Sequence, residues 1–271
     1  MSHIAEAFRS LHNNTIPLRL PNAWDAASAR LFESLGATAV ATTSSGVSWS
    51  LGYRDGRYLP VNEVVAAVSR MARLLTVPLS VDFENGYSDD PQVVADNVLR
   101  LVELGVAGIN IEDGGDRPSL LASKIDAIRN TLAKSGADLF INARCDVFLA
   151  SLVKEGELVE ESISRGTLYS RAGADGLFLP GICRADHIKA VVTGVPRPLN
   201  AMAWPDLPDA AELGTLGVRR LSAGSGVSQA LWGKADILVR EFLQSGRSEI
   251  LSDGSMSYGT LQSLFPEVSG V

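Results

Sequence analysis

The chain has only two cysteines in 271 residues, Cys145 and Cys183, and neither belongs to a Cys-x-x-Cys pair. That excludes a disulfide framework and a zinc knuckle. Histidine is also scarce. His3, His12 and His187 lack the spacing of paired metal ligands and the company of a catalytic triad, so all three read as surface groups. Basic residues are the minority charge: 24 Lys and Arg stand against 31 Asp and Glu, for a net charge of −7. With no basic stripe to hold phosphate backbones, nucleic acid is not an expected partner. No apolar run is long enough to span a bilayer. The opening Met1-Ser2-His3-Ile4-Ala5-Glu6 lacks the basic start and apolar stretch of a signal peptide. The expectation is a soluble, cytoplasmic protein with no membrane partner. No Pro/Gly/Ser-rich linker divides the chain, so one domain is expected over residues 1–246, with a tail over 247–271.

What is present is alternation. Short apolar runs predict eight strands, at Pro17–Leu20, Ala37–Thr42, Pro78–Phe83, Gly108–Ile111, Leu139–Ala143, Gly176–Leu179, Pro198–Ala201 and Arg219–Ser222. Amphipathic stretches between them predict helices, with Asp25, Asp90 and Asp206 as N-caps and Gly36, Gly105, Gly136 and Gly173 as stops. A Leu-Gly-Ala-like phrase recurs where helix gives way to strand, as in Leu35-Gly36-Ala37 and Leu104-Gly105-Val106. Eight nearly even units favour a TIM (β/α)8 barrel over a doubly wound sheet. A further helix at Gly259–Phe265, beyond what a barrel needs, is expected to pack outside its own barrel as a subunit contact.

The runs Val81-Asp82-Phe83-Glu84 and Ile109-Asn110-Ile111-Glu112 both end in acids. Strand alternation puts Asp82 and Glu84 on one side, and a neighbouring parallel strand brings Glu112 to them. Crowded carboxylates repel, and a hard cation such as Mg²⁺ relieves the repulsion. Barrel enzymes build their sites at this rim. Thr43-Ser44-Ser45-Gly46, after the second strand, can turn backbone amides toward a carboxylate or oxyanion. Arg144, after the fifth strand, can grip a carboxylate through its fork or serve Asp146 or Glu112 structurally. Trp24 either walls the pocket or packs beside the cap Asp25. Asp55, between Arg54 and Arg57, reads as a rim acid or a solvated turn. Gly224-Ser225-Gly226 reads as a tight turn, and Lys124 as part of a solvated helix face.

Thr43–Gly46 with Leu51–Asp55, Val81–Tyr87, Gly108–Asp113 and Asn142–Asp146 together resemble the isocitrate lyase/phosphoenolpyruvate mutase superfamily. The resemblance implies a Mg²⁺-dependent enzyme, with Mn²⁺ as a substitute, that makes or breaks C–C or P–C bonds of α-keto acids through a pyruvate enolate. It implies that Ser45 and Gly46 hold the keto acid and that Arg144 pairs with its carboxylate. Asp82 would stand nearest the metal, with Asp55, Glu84 and Glu112 gripping its waters. It also implies a homodimer or homotetramer that exchanges a C-terminal helix.

Two departures bear on the reaction. The usual Asp-x-Asp is here Asp82-Phe83-Glu84. The loop after Glu112 reads Gly114-Gly115-Asp116-Arg117-Pro118-Ser119, without the Cys, Lys and His of the lyase branch. Both point away from isocitrate cleavage, and the loop points away from phosphonopyruvate rearrangement. Chemistry needing only a metal and an enolate cradle fits better: decarboxylation of an oxaloacetate-like acid, with solvent or Tyr53 returning the proton. Three other readings stay open: phosphonopyruvate hydrolase- or mutase-like activity, a keto-acid-binding protein with little turnover, and a phosphosugar barrel with unrelated acids.

Overall fold

The computed structural model describes residues 2–266, and the last five residues of the expected tail lie outside it. The chain runs α1 (Ser2–Ser10), β1 (Leu18–Leu20), β2 (Asn22–Ala23), α2 (Ala26–Ser34), β3 (Val40–Thr42), α3 (Ser44–Ser50) and α4 (Val61–Ala72). It continues through β4 (Leu79–Asp82), α5 (Pro91–Glu103), β5 (Gly108–Glu112), α6 (Pro118–Ser135), β6 (Phe140–Arg144) and α7 (Leu158–Ala172). Next come β7 (Gly176–Phe178), α8 (Ala185–Gly194), β8 (Leu199–Met202), α9 (Ala210–Thr215), β9 (Val218–Ser222), α10 (Gly226–Ser245) and α11 (Tyr258–Gln262).

All strands pair in parallel, in the order β1-β9-β8-β7-β6-β5-β4-β3-β2. Only Pro21 separates β1 from β2, so the two are one stave, broken where proline has no N–H for the ladder. The Leu20 carbonyl accepts from Ala223 N at 3.0 Å and the Pro21 carbonyl from Ala41 N at 2.9 Å, which closes the ring. The eight predicted strands are all present, and the fold is the expected (β/α)8 barrel.

Helices cover the outer face. On α5, Val94, Val98, Leu101 and Val102 are buried against the strands, at the spacing of a helical stripe. Asp25 forms a capping box with Ser28, and Asp90 accepts from Gln92 and Val93 ahead of N1 Pro91. Gly136 and Gly173 end their helices in the left-handed region. Asp206 is not a cap: it sits in a turn at φ 67°, and Asp209 caps α9 instead. Pro208 is the reason, because the residue before a proline avoids helical geometry.

A polar layer crosses the barrel interior above an apolar one formed by Leu18, Leu20, Ala39, Ala41 and Phe140. Asn142 Nδ2 donates to Asn110 Oδ1 at 2.9 Å and Asn200 Oδ1 at 3.0 Å, and Arg220 Nη2 donates to Asn110 Oδ1 at 3.2 Å. Below this layer, α1 closes the N-terminal end of the barrel. Phe8 meets Phe140 edge-on at 5.4 Å, and His12 stacks on Phe140 at 4.3 Å. His12 is therefore buried, not a surface group, and burial followed by the charge of Arg220 pushes its pKa down to about 3. Arg9 ties the plug to Asp138 and Asp175.

At the other end of the chain α10 stands largely free: Ser228 is its one buried residue, while Leu231, Trp232, Ile237, Val239, Phe242 and Leu243 are exposed. Arg30 Nε donates to the Leu264 carbonyl at 2.9 Å, so the tail returns to α2. Among the described residues, no helix is long and apolar enough to cross a membrane.

Candidate active site

Asp82 is the last residue of β4 and the centre of the rim. Its N–H donates to Thr42 Oγ1 at 2.8 Å, and its Oδ2 accepts from Ser44 N at 3.1 Å. Its Oδ1 is buried with no hydrogen-bond partner. Thr43–Gly46 is not a loop: Ser44 opens α3, whose first intrahelical bond runs from Val47 N to the Thr43 carbonyl at 3.0 Å. The amides of Ser45 and Gly46 lie in that first turn and have no acceptor in the helix. Ser45 Oγ and Thr43 Oγ1 bond each other at 3.0 Å. A Cβ on Gly46 would lie 2.8 Å from both Thr43 Cγ2 and Trp24 Cβ, so only glycine lets this turn seat. Trp24 stands behind Gly46 with its ring 6.1 Å from Phe32.

The other three acids surround Asp82 unequally. Asp55 turns its carboxyl to the rim from an exposed loop, where burial and Asp82 raise its pKa. Glu84 falls beyond the end of β4 at φ 46°, so strand alternation does not set its direction. Tyr87 donates to its Oε1 at 2.8 Å and Arg57 N donates to its Oε2. Burial and Asp82 raise its pKa against the Tyr87 bond. Glu112, last in β5, is half-buried, and desolvation pushes its pKa up to about 8; Arg144 opposes this while Asp82, Asp146 and Glu84 add to it. Among the described residues, no three His, Cys, Asp or Glu side chains form a direct cage for a metal.

Arg144, last in β6, faces Glu112 Oε2 through Nη1 at 2.9 Å and donates Nε and Nη2 to Asp146 at 2.7 and 3.0 Å. Burial works against its charge, but Glu112, Asp146 and Asp82 outweigh it and hold its pKa above the usual value. N–H groups on Nη1 and Nη2 are left for a further carboxylate. Both structural partners weighed from the sequence are thus real, and neither exhausts the fork.

Sequence reasoning missed what holds Asp146. Its N–H donates to Asp113 Oδ1 at 2.9 Å, and Asp113 Oδ2 accepts from Tyr169 Oη at 2.5 Å and Arg165 Nη1 at 2.9 Å. Nothing in local spacing signals a partnership across 56 residues. Lys124 was also misread: it is buried and donates to the Asn85 carbonyl at 2.9 Å. Gly224 is a turn, as expected, with its N–H on Asn22 Oδ1 at 2.9 Å.

These residues enclose a cavity of about 320 Å³ at the C-terminal rim, lined among others by Ser44, Ser45, Asp55, Asp82, Asn110 and Arg144. Trp24 and Gly46 stand behind its wall, and Glu84 and Glu112 reach it through Asp82 and Arg144.

A closed parallel barrel with acids and an arginine at its C-terminal rim defines a barrel enzyme. A profile of the phosphoenolpyruvate phosphomutase family matches residues 8–243, and the chain belongs to that family, within the isocitrate lyase/PEP mutase superfamily of lyases and mutases. An uncharacterized protein of Mycobacterium tuberculosis is 39% identical over 223 residues, covering 81% of this chain and 82% of its own. An oxaloacetate decarboxylase of Paraburkholderia xenovorans is 31% identical over 214 residues, covering 74% and 69%. A crystal structure from Burkholderia cenocepacia, provisionally assigned as a phosphonomutase, superposes with a TM-score of 0.84 at 36% identity, over 88% of this chain and all of the other.

Proposed function

We propose that this enzyme is a divalent-cation-dependent carbon–carbon lyase that releases CO₂ from an oxaloacetate-like 2-oxo acid. The observation that carries the reading is Asp82 Oδ1, a buried carboxylate oxygen left without a partner among acids whose pKa values burial, and then one another's charge, raise. That donor set fits a hard cation with its own water shell, Mg²⁺ or Mn²⁺. Asp82 would hold it, with Asp55, Glu84 and Glu112 reaching its waters. When bound, it supplies positive charge that draws electrons from the 2-oxo group.

The chain does the rest. Arg144 holds the C1 carboxylate with its free N–H groups, oriented by Asp146. The C3–C4 bond breaks, C4 leaves as CO₂, and the electron pair moves into an enolate. The first turn of α3, with Ser45 on the cavity wall and Gly46 behind it, would offer its free amides to that developing charge. Solvent, or Tyr53 on the loop that carries Asp55, returns the proton to C3. No protein base is needed, which suits a loop after Glu112 that has no Cys, Lys or His. Phosphonopyruvate chemistry is less favoured: a phosphonate dianion needs several cations, and Arg144 is the only one lining the cavity among the described residues.

The same bare loop favours one competing reading, a keto-acid-binding protein with little turnover. Oxaloacetate is assayed with and without Mg²⁺, on wild type and Asp82→Ala, beside a protein-free control. Mg²⁺-dependent CO₂ release abolished by Asp82→Ala supports the lyase. Rates equal to the control, with calorimetric binding of Mg²⁺ and pyruvate, support the binding protein.

Residues 1–246 as catalytic domain, residues 247–271 as subunit contact, and a cytoplasmic homodimer or homotetramer complete the proposal. The exposed apolar side chains of α10 support the assembly, and light scattering on the purified protein tests it.

A further inference from the structure

The cavity is divided by charge. The half built on β3 to β6 carries Asp55, Asp82 and Arg144; the half built on β7 to β9 and the loop after β6 carries Leu149, Phe178, Met202 and Trp204. Arg144 marks the boundary, its guanidinium 5.9 Å from the Phe178 ring. Two polar side chains bordering the second half, Asn22 and Ser222, are already engaged, while Ser225 and Gln229 line it from the α10 side. Asn22 donates to the Thr42 carbonyl at 2.8 Å and accepts from Gly224 N at 2.9 Å. Ser222 Oγ accepts from Asn200 Nδ2 at 3.1 Å. Met202 is set in place by its neighbour: a Cβ on Gly224 would lie 2.6 Å from its sulfur, so the thioether occupies the space that glycine leaves.

A retained anionic group against Leu149, Phe178, Met202 and Trp204 would meet no cationic side chain there, and burying a carboxylate without an ion partner is costly. A carboxylate that departs as neutral CO₂ does not meet this objection, because its charge stays behind on the enolate. An apolar group gains from the same walls. The volume, about 320 Å³, is already in the range of sites for ligands larger than a four-carbon acid.

We infer that Leu149, Phe178, Met202 and Trp204 form a subsite for an apolar substituent on C3 of the 2-oxo acid, an inference that rests on the 2-oxo acid reading of the charged half. The substrate class is then a 3-alkyl or 3-aryl 2-oxo acid whose far end is uncharged once CO₂ has left. Leu149 and Trp204 sit at the mouth, 37% and 44% exposed, and Phe178 and Met202 lie deeper.

The test is a calorimetric series on the full chain with Mg²⁺: pyruvate, 2-oxobutanoate and 2-oxopentanoate, with 2-oxoglutarate as the acid that keeps a distal carboxylate. Affinity is expected to rise about fourfold per methylene buried, and 2-oxoglutarate is expected to bind more weakly than 2-oxopentanoate. Leu149→Asn, at a site exposed enough not to endanger folding, and Met202→Asn are each expected to flatten the rise. A flat or falling series, tighter binding of 2-oxoglutarate, variants with the wild-type slope, or no binding of any acid overturns the subsite. CO₂ release from oxaloacetate is measured beside it. Turnover with a flat series removes the subsite and leaves the lyase; a rising series without turnover keeps the subsite and removes the lyase.

Discussion

Arg144 is clamped between two acids on neighbouring loops and strands: Glu112 at 2.9 Å on one side and Asp146 at 2.7 Å on the other. The pairing fixes a long side chain at the barrel mouth before any ligand arrives, so little rotamer entropy is left to lose on binding. Arg144→Lys keeps the charge and loses the fork. The expected result is a fall of roughly 100-fold or more in kcat/KM, read from steady-state kinetics, with Glu112 and Asp146 left poorly matched.

Asp82→Asn removes the charge that the other rim acids repel while preserving shape. Metal-dependent turnover is expected to vanish. Stability is expected to hold or to rise by about 0.5–2 kcal/mol, the usual sign when a crowded functional charge is neutralised. Urea unfolding of the metal-free protein checks the second part; a large loss of stability would mean that Asp82 is structural.

Glu112 makes metal-free stability depend on pH in a defined direction. Its folded pKa of about 8 stands above its usual 4.5, so the folded chain holds a proton that the unfolded chain releases. The contribution is therefore full below about pH 4.5 and is lost as pH rises toward 8. Glu112→Gln is expected to flatten that decline. Protection by Mg²⁺ is expected to grow over the same interval, because protons stop competing for the carboxylates. Thermal melts at several pH values, with and without Mg²⁺, measure both trends.

Tyr169→Phe removes one of the three donors on Asp113. A stability loss of about 1–3 kcal/mol is expected for the underserved buried carboxylate. Because Asp113 carries Asp146 and Asp146 carries Arg144, a rise in KM for the keto acid is expected as well. A stability loss with unchanged KM would show that the chain of contacts ends at Asp146.

Gly46→Ala places a methyl group 2.8 Å from Thr43 and Trp24. Overpacking of this kind costs about 1–3 kcal/mol. The first turn of α3 is expected to shift, lowering kcat more than it raises KM.

The staves of the barrel were legible because each apolar run is short and bounded by glycine or proline. Asp82 and Arg144 were legible because they end such runs. What was missed has physical reasons. α1 buries only Ala5 and Phe8 fully, too few positions for a period to stand out. α3 begins Ser-Ser-Gly, weak helix formers that read as loop, and tertiary contacts decide its state. Glu84 was assigned a side by alternation, but its left-handed backbone breaks the strand two residues too soon. His12 and Lys124 were given the surface default; an aromatic stack and a buried carbonyl claim them instead.

The plug at the base of the barrel bears on how the molecule is made. α1 is synthesised before the strands it closes, yet the anchors of its Arg9, Asp138 and Asp175, lie 129 and 166 residues downstream. It must wait, greasy side unsheltered, until β6 and the turn before β7 have been synthesised. Contacts spanning such distances form slowly. A segment made ahead of the barrel is thus among the last to find its seat.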